Sequence, residues 1–173
     1  MKIISTFVPD LFAFKYEQYE FDELERLFGE WSDPLFLYDF FEEHKADLRY
    51  FHLSVEDAVN STYDEVTHLR DLLLRLTSRN SENFDRLFQP LSPSTLRPSL
   101  EKSKAKHNWL RLYAIKIDTN TGVITGGAIK LTRAMQDRPH TKLELSKLNQ
   151  CRAFLRQEDV FGTESFFEFL ELI

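Results

Sequence analysis

The sequence predicts a single α+β domain: a small, antiparallel-rich sheet built around a central hairpin, with helices before and after it. Three observations carry this. The chain has 173 residues, 42% of them hydrophobic and 29% charged, which suits one globular domain over 1–173. Apolar residues recur at helical spacing near the N-terminus, through about 54–79 and through 141–172. Two runs within 109–131 are apolar on both faces and flank the turn Asp118–Gly122. Such runs belong in the middle of a sheet.

Ile3–Val8 and Leu11–Tyr16 read as short strands joined by Pro9-Asp10. Phe21, Leu24, Leu27 and Phe28 then mark a helix over Tyr19–Phe28, with Gly29 placed as its C-cap. Asp33-Pro34 is a start signal, a capping residue followed by the proline tolerated in a first turn, for a helix ending near Lys45–Asp47. Ser54 with Asp57 three residues on resembles a capping box. The stripe Val55, Val59, Val66, Leu69, Leu73 and Leu76 makes a long helix to about Arg79, fit to pack on its own domain or to receive a partner helix. Pro90, Pro93 and Pro98 forbid a long helix in 80–108, where Phe84–Phe88 is a helical turn or a short strand. Glu101–His107 reads as an exposed basic loop. Helices over about Thr141–Leu155 and Thr163–Leu172 close the chain.

The net charge is −6, which by itself argues against a nucleic-acid partner. Its distribution argues otherwise. Residues 1–96 carry 19 acidic and 9 basic side chains, whereas 97–147 carry 11 basic and 4 acidic. Such asymmetry points to a polyanion surface, or to oppositely charged parts that neutralise each other across the fold. Cys151 is the single cysteine, so no internal disulfide forms and a reducing, cytoplasmic setting is expected. No run of about 18 apolar residues spans a membrane, and Met1–Phe7 is too short for a secretory signal. The five histidines are scattered without metal-ligand spacing, and neither a phosphate-binding glycine loop nor a nucleophile elbow occurs. No metal or cofactor is expected.

Pairing Ile117 with Val123 puts Lys116 and Lys130 on one face of the hairpin and Arg111 and Tyr113 on the other. One bulge, for which Gly126-Gly127 is a plausible place, reverses that relation. Either a closely packed helix or a ligand explains two glycines inside a strand. Beyond Lys130 come Arg133, Arg138, His140 and Lys142, which with Lys102, Lys104, Lys106 and Arg111 suit a phosphodiester groove. Cleavage to a 2′,3′-cyclic phosphate needs a base, a donor for the leaving oxygen, and cations. Lys130, Arg133, His140 and Arg111 are the catalytic candidates, with Tyr113 and His107 behind them. Lys102, Lys104, Lys106, Lys116, Arg138 and Tyr113 are the RNA-binding candidates. The competing reading is a solvated helix cap.

Arg111–Ile117, the turn, Val123–Thr132, then Met135-Gln136 and a helix from near Thr141 resemble the C-terminal half of RelE/HigB-type toxins. Phe88–Leu91 and Leu100–Lys102 resemble the strand before it, and Phe21–Gly29 with Pro34–Asp47 the N-terminal helix pair. The resemblance implies a small sheet flanked by helices and metal-independent endoribonuclease activity on messenger RNA, often ribosome-bound. It implies neutralisation by a cognate antitoxin, and Arg111, Lys130 and Arg133 as phosphate and transition-state ligands. This chain is longer and more acidic than such toxins, and the long helix 54–79 is an added element. Expected partners are therefore RNA or ribosome-bound messenger RNA, an antitoxin, and a second copy of the chain. A non-catalytic interaction protein that keeps the fold and binds a protein partner through the long helix or the sheet is the alternative, and a topoisomerase poison a third.

Overall fold

A computed structural model describes residues 1–76, 87–91, 100–134 and 137–173, apart from the side chains of Leu76 and His107. Six strands form one sheet: β1 (Lys2–Ser5), β2 (Leu11–Lys15), β3 (Phe88–Pro90), β4 (Glu101–His107), β5 (Leu110–Lys116) and β6 (Gly122–Ile129). Their spatial order is β1-β2-β6-β5-β4-β3, antiparallel except where β2 runs parallel to β6. The β5–β6 hairpin is central, as its apolar faces predict. The helices are α1 (Glu23–Trp31), α2 (Pro34–Glu43), the short α3 (Lys45–Leu48), α4 (Val55–Leu76), α5 (Pro139–Gln157) and α6 (Thr163–Leu172). A 3-10 turn, Arg49–Phe51, follows α3.

Alternation along the strands sends their side chains into two cores. Leu110, Leu112, Ala114 and Ile124 pack with α1, α2 and α4, while Tyr113, Ile115, Val123 and Ala128 pack with α5 and α6. The result is a three-layer helix–sheet–helix domain. Local signals set several helix starts. Asp33 accepts the Leu35 N–H at 2.9 Å with Pro34 at the first helical position, and Ser54 and Asp57 exchange bonds at 3.3 and 3.1 Å. Replacing such a cap costs about 1 kcal/mol. The long helix packs on its own domain, with Val55, Ala58, Thr62, Val66, Leu69 and Leu73 buried and Trp109 Nε1 donating to Thr62 Oγ1 at 2.9 Å.

Three expectations are corrected. The first helix begins at Glu23, because Asp22 caps it through the Leu24 and Glu25 N–H groups, and it continues through Gly29 to Trp31. Residues 101–107 are a strand, not a loop. Ser103 and Ala105 are buried while Lys102, Lys104 and Lys106 face outward, so the alternation is of small against charged residues, a pattern an apolar periodicity search passes over. The hairpin register also differs. Ile115 pairs with Val123, and a bulge between Tyr113 and Ala114 shifts the pairing so that Arg111 lies opposite Ala128. Phe84 to Arg86, Pro93, Pro98, Met135, Gln136 and the last turn expected at 77–79 lie outside the described residues. Among those described, no helix is long and apolar enough to cross a membrane.

Candidate nucleic-acid interface

The bulge decides which cations meet. Without it Lys130 would project on the face opposite Arg111; with one extra residue in β6 it joins Arg111. Cross-strand pairing places Lys106 beside Arg111 and Lys104 beside Tyr113 on that same face. The segment after β6 brings Arg133 and Asp137, and the turn after α3 brings Tyr50 and Phe51. With Lys106, Arg111 and Lys130 these line an open groove of about 1130 Å³, with Trp109 at its inner wall.

Burial, then Arg111, Lys104 and Lys106, holds the Lys130 ammonium below the usual lysine range. Burial is the largest cause of this shift, and the neighbouring like charges add to it against the pull of Asp137. Lys130 Nζ donates to the Arg133 carbonyl. Arg111 Nη1 donates to the carbonyls of Asn108 at 2.6 Å and Leu110 at 2.8 Å, clamping the β4–β5 turn, where Asn108 is left-handed at φ 49°. Burial lowers the Arg111 pKa as well. Among the described residues, Lys104, Lys106, Arg111, Lys130 and Arg133 have no carboxylate at ion-pair distance, unlike Arg26, Lys45, Arg138 and Lys147. Clustered unpaired cations repel one another and suit a polyanion.

Other expected site residues fall elsewhere. Lys116 is buried on the opposite face, across from Glu101 and Gly122, because the bulge separates it from Lys130. Tyr113 is 1% exposed within the α5-side core, so it offers no stacking surface, and burial pushes its hydroxyl up to about 12. Arg138 borders the groove but is engaged by Asp47 through bonds of 2.9 and 2.5 Å, which hold the Asp47 carboxyl below its usual range. His140 faces a different cavity, with Nε2 2.9 Å from the Ile129 carbonyl and its ring against Phe40 and His44. Lys102 lies further along β4, donating to Asn149 Oδ1 at 3.0 Å. The His107 side chain lies outside the described set.

The structure also assembles a group that sequence reasoning missed. Where β2 ends, α1 and α5 meet beside β6. Glu23, wholly buried, accepts two bonds from Arg26 at 2.9 Å and one from Lys147 at 2.7 Å. Lys147 also donates to Glu144 Oε1 at 3.0 Å. Glu144 Oε2 has no hydrogen-bond partner among the described residues, and burial pushes this carboxyl up to about 7 despite Lys147. Gly126 makes room for it: a Cβ there would lie 1.9 Å from Oε2. Gly127 permits close approach of α1, since its Cβ would meet Leu27 at 2.7 Å and Trp31 at 3.0 Å. Helix packing, not a ligand, therefore accounts for the second glycine. Cys151 is fully buried against the Tyr16 hydroxyl at 3.1 Å, and burial pushes its thiol up to about 12, so it is no nucleophile at neutral pH.

No protein-family model, curated protein or solved structure matches this chain. Among the described residues no group of three or more His, Cys, Asp or Glu side chains is placed to hold a metal ion. The groove itself supplies cations for phosphate and an exposed aromatic ring, Tyr50, for a base. Of its two carboxylates, Asp47 is engaged by Arg138 and Asp137 accepts the Ala134 N–H at 2.8 Å.

Proposed function

We propose that this chain binds the phosphodiester backbone of RNA in the groove. As the resemblance to RelE/HigB-type toxins implies, we further propose that it cleaves messenger RNA held there. The observation that carries the reading is the convergence in the groove of Lys106, Arg111, Lys130 and Arg133, with Lys104 near Lys130, all without ion-pair partners among the described residues. In this reading Lys130 and Arg133 neutralise the charge that develops on the phosphate, and Tyr50 stacks on a flanking base. An antitoxin that silences such a groove would cover it with an acidic segment.

A second reading, a non-catalytic interaction protein, is favoured by one specific observation: His140 and Tyr113 are withdrawn from the groove. Induced expression separates the two. Growth arrest with messenger cleavage, abolished by Lys130→Ala and by Arg133→Ala, is the expected outcome. Intact messenger and normal growth, with RNA binding retained in vitro, leave binding without cleavage. Absence of RNA binding removes both roles for the groove.

A further inference from the structure

The groove is not the end of the cationic surface. Residues two apart on a strand project on one face about 6.7 Å apart. Lys102, Lys104 and Lys106 therefore form a ladder about 13 Å long, with Lys106 at the groove. At its far end the ladder meets α5. Lys102 Nζ is held at 3.0 Å by Asn149, and Asn149, Arg152 and Arg156 recur at the i, i+3, i+7 spacing of one helix face. Arg152 lies close enough to lower the Lys102 pKa after burial, and Arg156 acts likewise on Arg152. Like charges therefore continue from the groove to the last turn of α5. Neither arginine has a carboxylate at ion-pair distance among the described residues.

We propose that Lys102, Arg152 and Arg156 form a second phosphate-binding cluster, joined to the groove by the β4 lysines, so that the chain holds an extended single strand of RNA along β4. This rests on the groove reading and adds a path and a substrate form to it. A single strand fits because the ladder is linear, with rungs spaced to the reach of a nucleotide of extended backbone. Tyr50 at the groove end offers stacking that a paired duplex withholds. Recognition is of backbone, not of base sequence, since the track presents lysine and arginine side chains over most of its length.

The test is fluorescence anisotropy with 2′-O-methyl oligouridines of three and nine nucleotides, which resist cleavage, over a salt series. Wild type binds the nine-mer more tightly and with the steeper salt dependence. The double substitution Arg152→Ala/Arg156→Ala is expected to weaken nine-mer binding about tenfold and to reduce the slope of log K against log salt by about 1.4, or about 0.7 for each phosphate left without its cation. Both side chains reach solvent, so thermal unfolding should stay near the wild-type value. If that variant binds the nine-mer like wild type while Lys130→Ala weakens it, the track stops at the groove and only this inference falls. If Lys130→Ala also has no effect, the groove reading falls with it. Tighter binding of a nine-base-pair duplex than of the single strand overturns the single-strand assignment.

Discussion

Two clusters of charge sit on this sheet, about equally rich in ionisable groups, and they are built in opposite ways. Beside β6, Glu23, Glu144 and Lys147 are buried and Arg26 partly buried between α1 and α5, and each side chain has an oppositely charged neighbour. Along β4 and β5 the cations reach solvent and face each other. The first arrangement belongs to folding, because a buried charge is tolerated only when paired. The second has no ion pairs among the described residues and leaves its charge facing solvent. Counting charges along the chain does not separate the two; pairing and burial do.

This contrast is broken most directly at Lys147. Lys147→Met leaves Glu23 and Glu144 buried with less compensation and is expected to cost about 3 to 5 kcal/mol, read as a lower urea midpoint. A loss below about 1 kcal/mol would show that the network is not a fold-holding element. The pH dependence sharpens the same point. Burial raises the Glu144 carboxyl from 4.5 to about 7 in the folded chain, so the folded state holds this proton more tightly than the unfolded state. The stabilisation it confers is full below about 4.5 and is lost as pH rises through about 7. Its size is about 1 to 3 kcal/mol, and Glu144→Gln should flatten urea midpoints measured across that window. The smallest effect is expected on the other side of the comparison. Lys106→Gln should change stability by no more than about 0.5 kcal/mol while weakening RNA binding and its salt dependence. A strongly destabilised Lys106→Gln would place the ladder among the elements that hold the fold.

What was legible in advance follows the range of the forces involved. Helix caps are local, and Asp33-Pro34 and Ser54 with Asp57 declare themselves within four residues. The central hairpin is legible because strands apolar on both faces have nowhere else to go. The β4 strand hid because its buried face is made of Ser103 and Ala105 in place of large apolar residues. His140 reads as a base in the sequence, yet its neighbours are Phe40, His44 and the Ile129 carbonyl, contributed by other elements.

The sequence by itself determined an α+β chain with a central hairpin, a long capped helix and a basic segment between acidic ones. Only the tertiary structure decided which of those cations are engaged by carboxylates and which face solvent. Arg138 finds Asp47 across 91 residues, and Lys147 finds Glu23 across 124. One residue of bulge moves Lys130 onto the face of Arg111. Periodicity is a property of neighbours in the chain, whereas charge pairing and strand register are settled by what packs against them, so composition alone reveals a basic segment but not a basic groove.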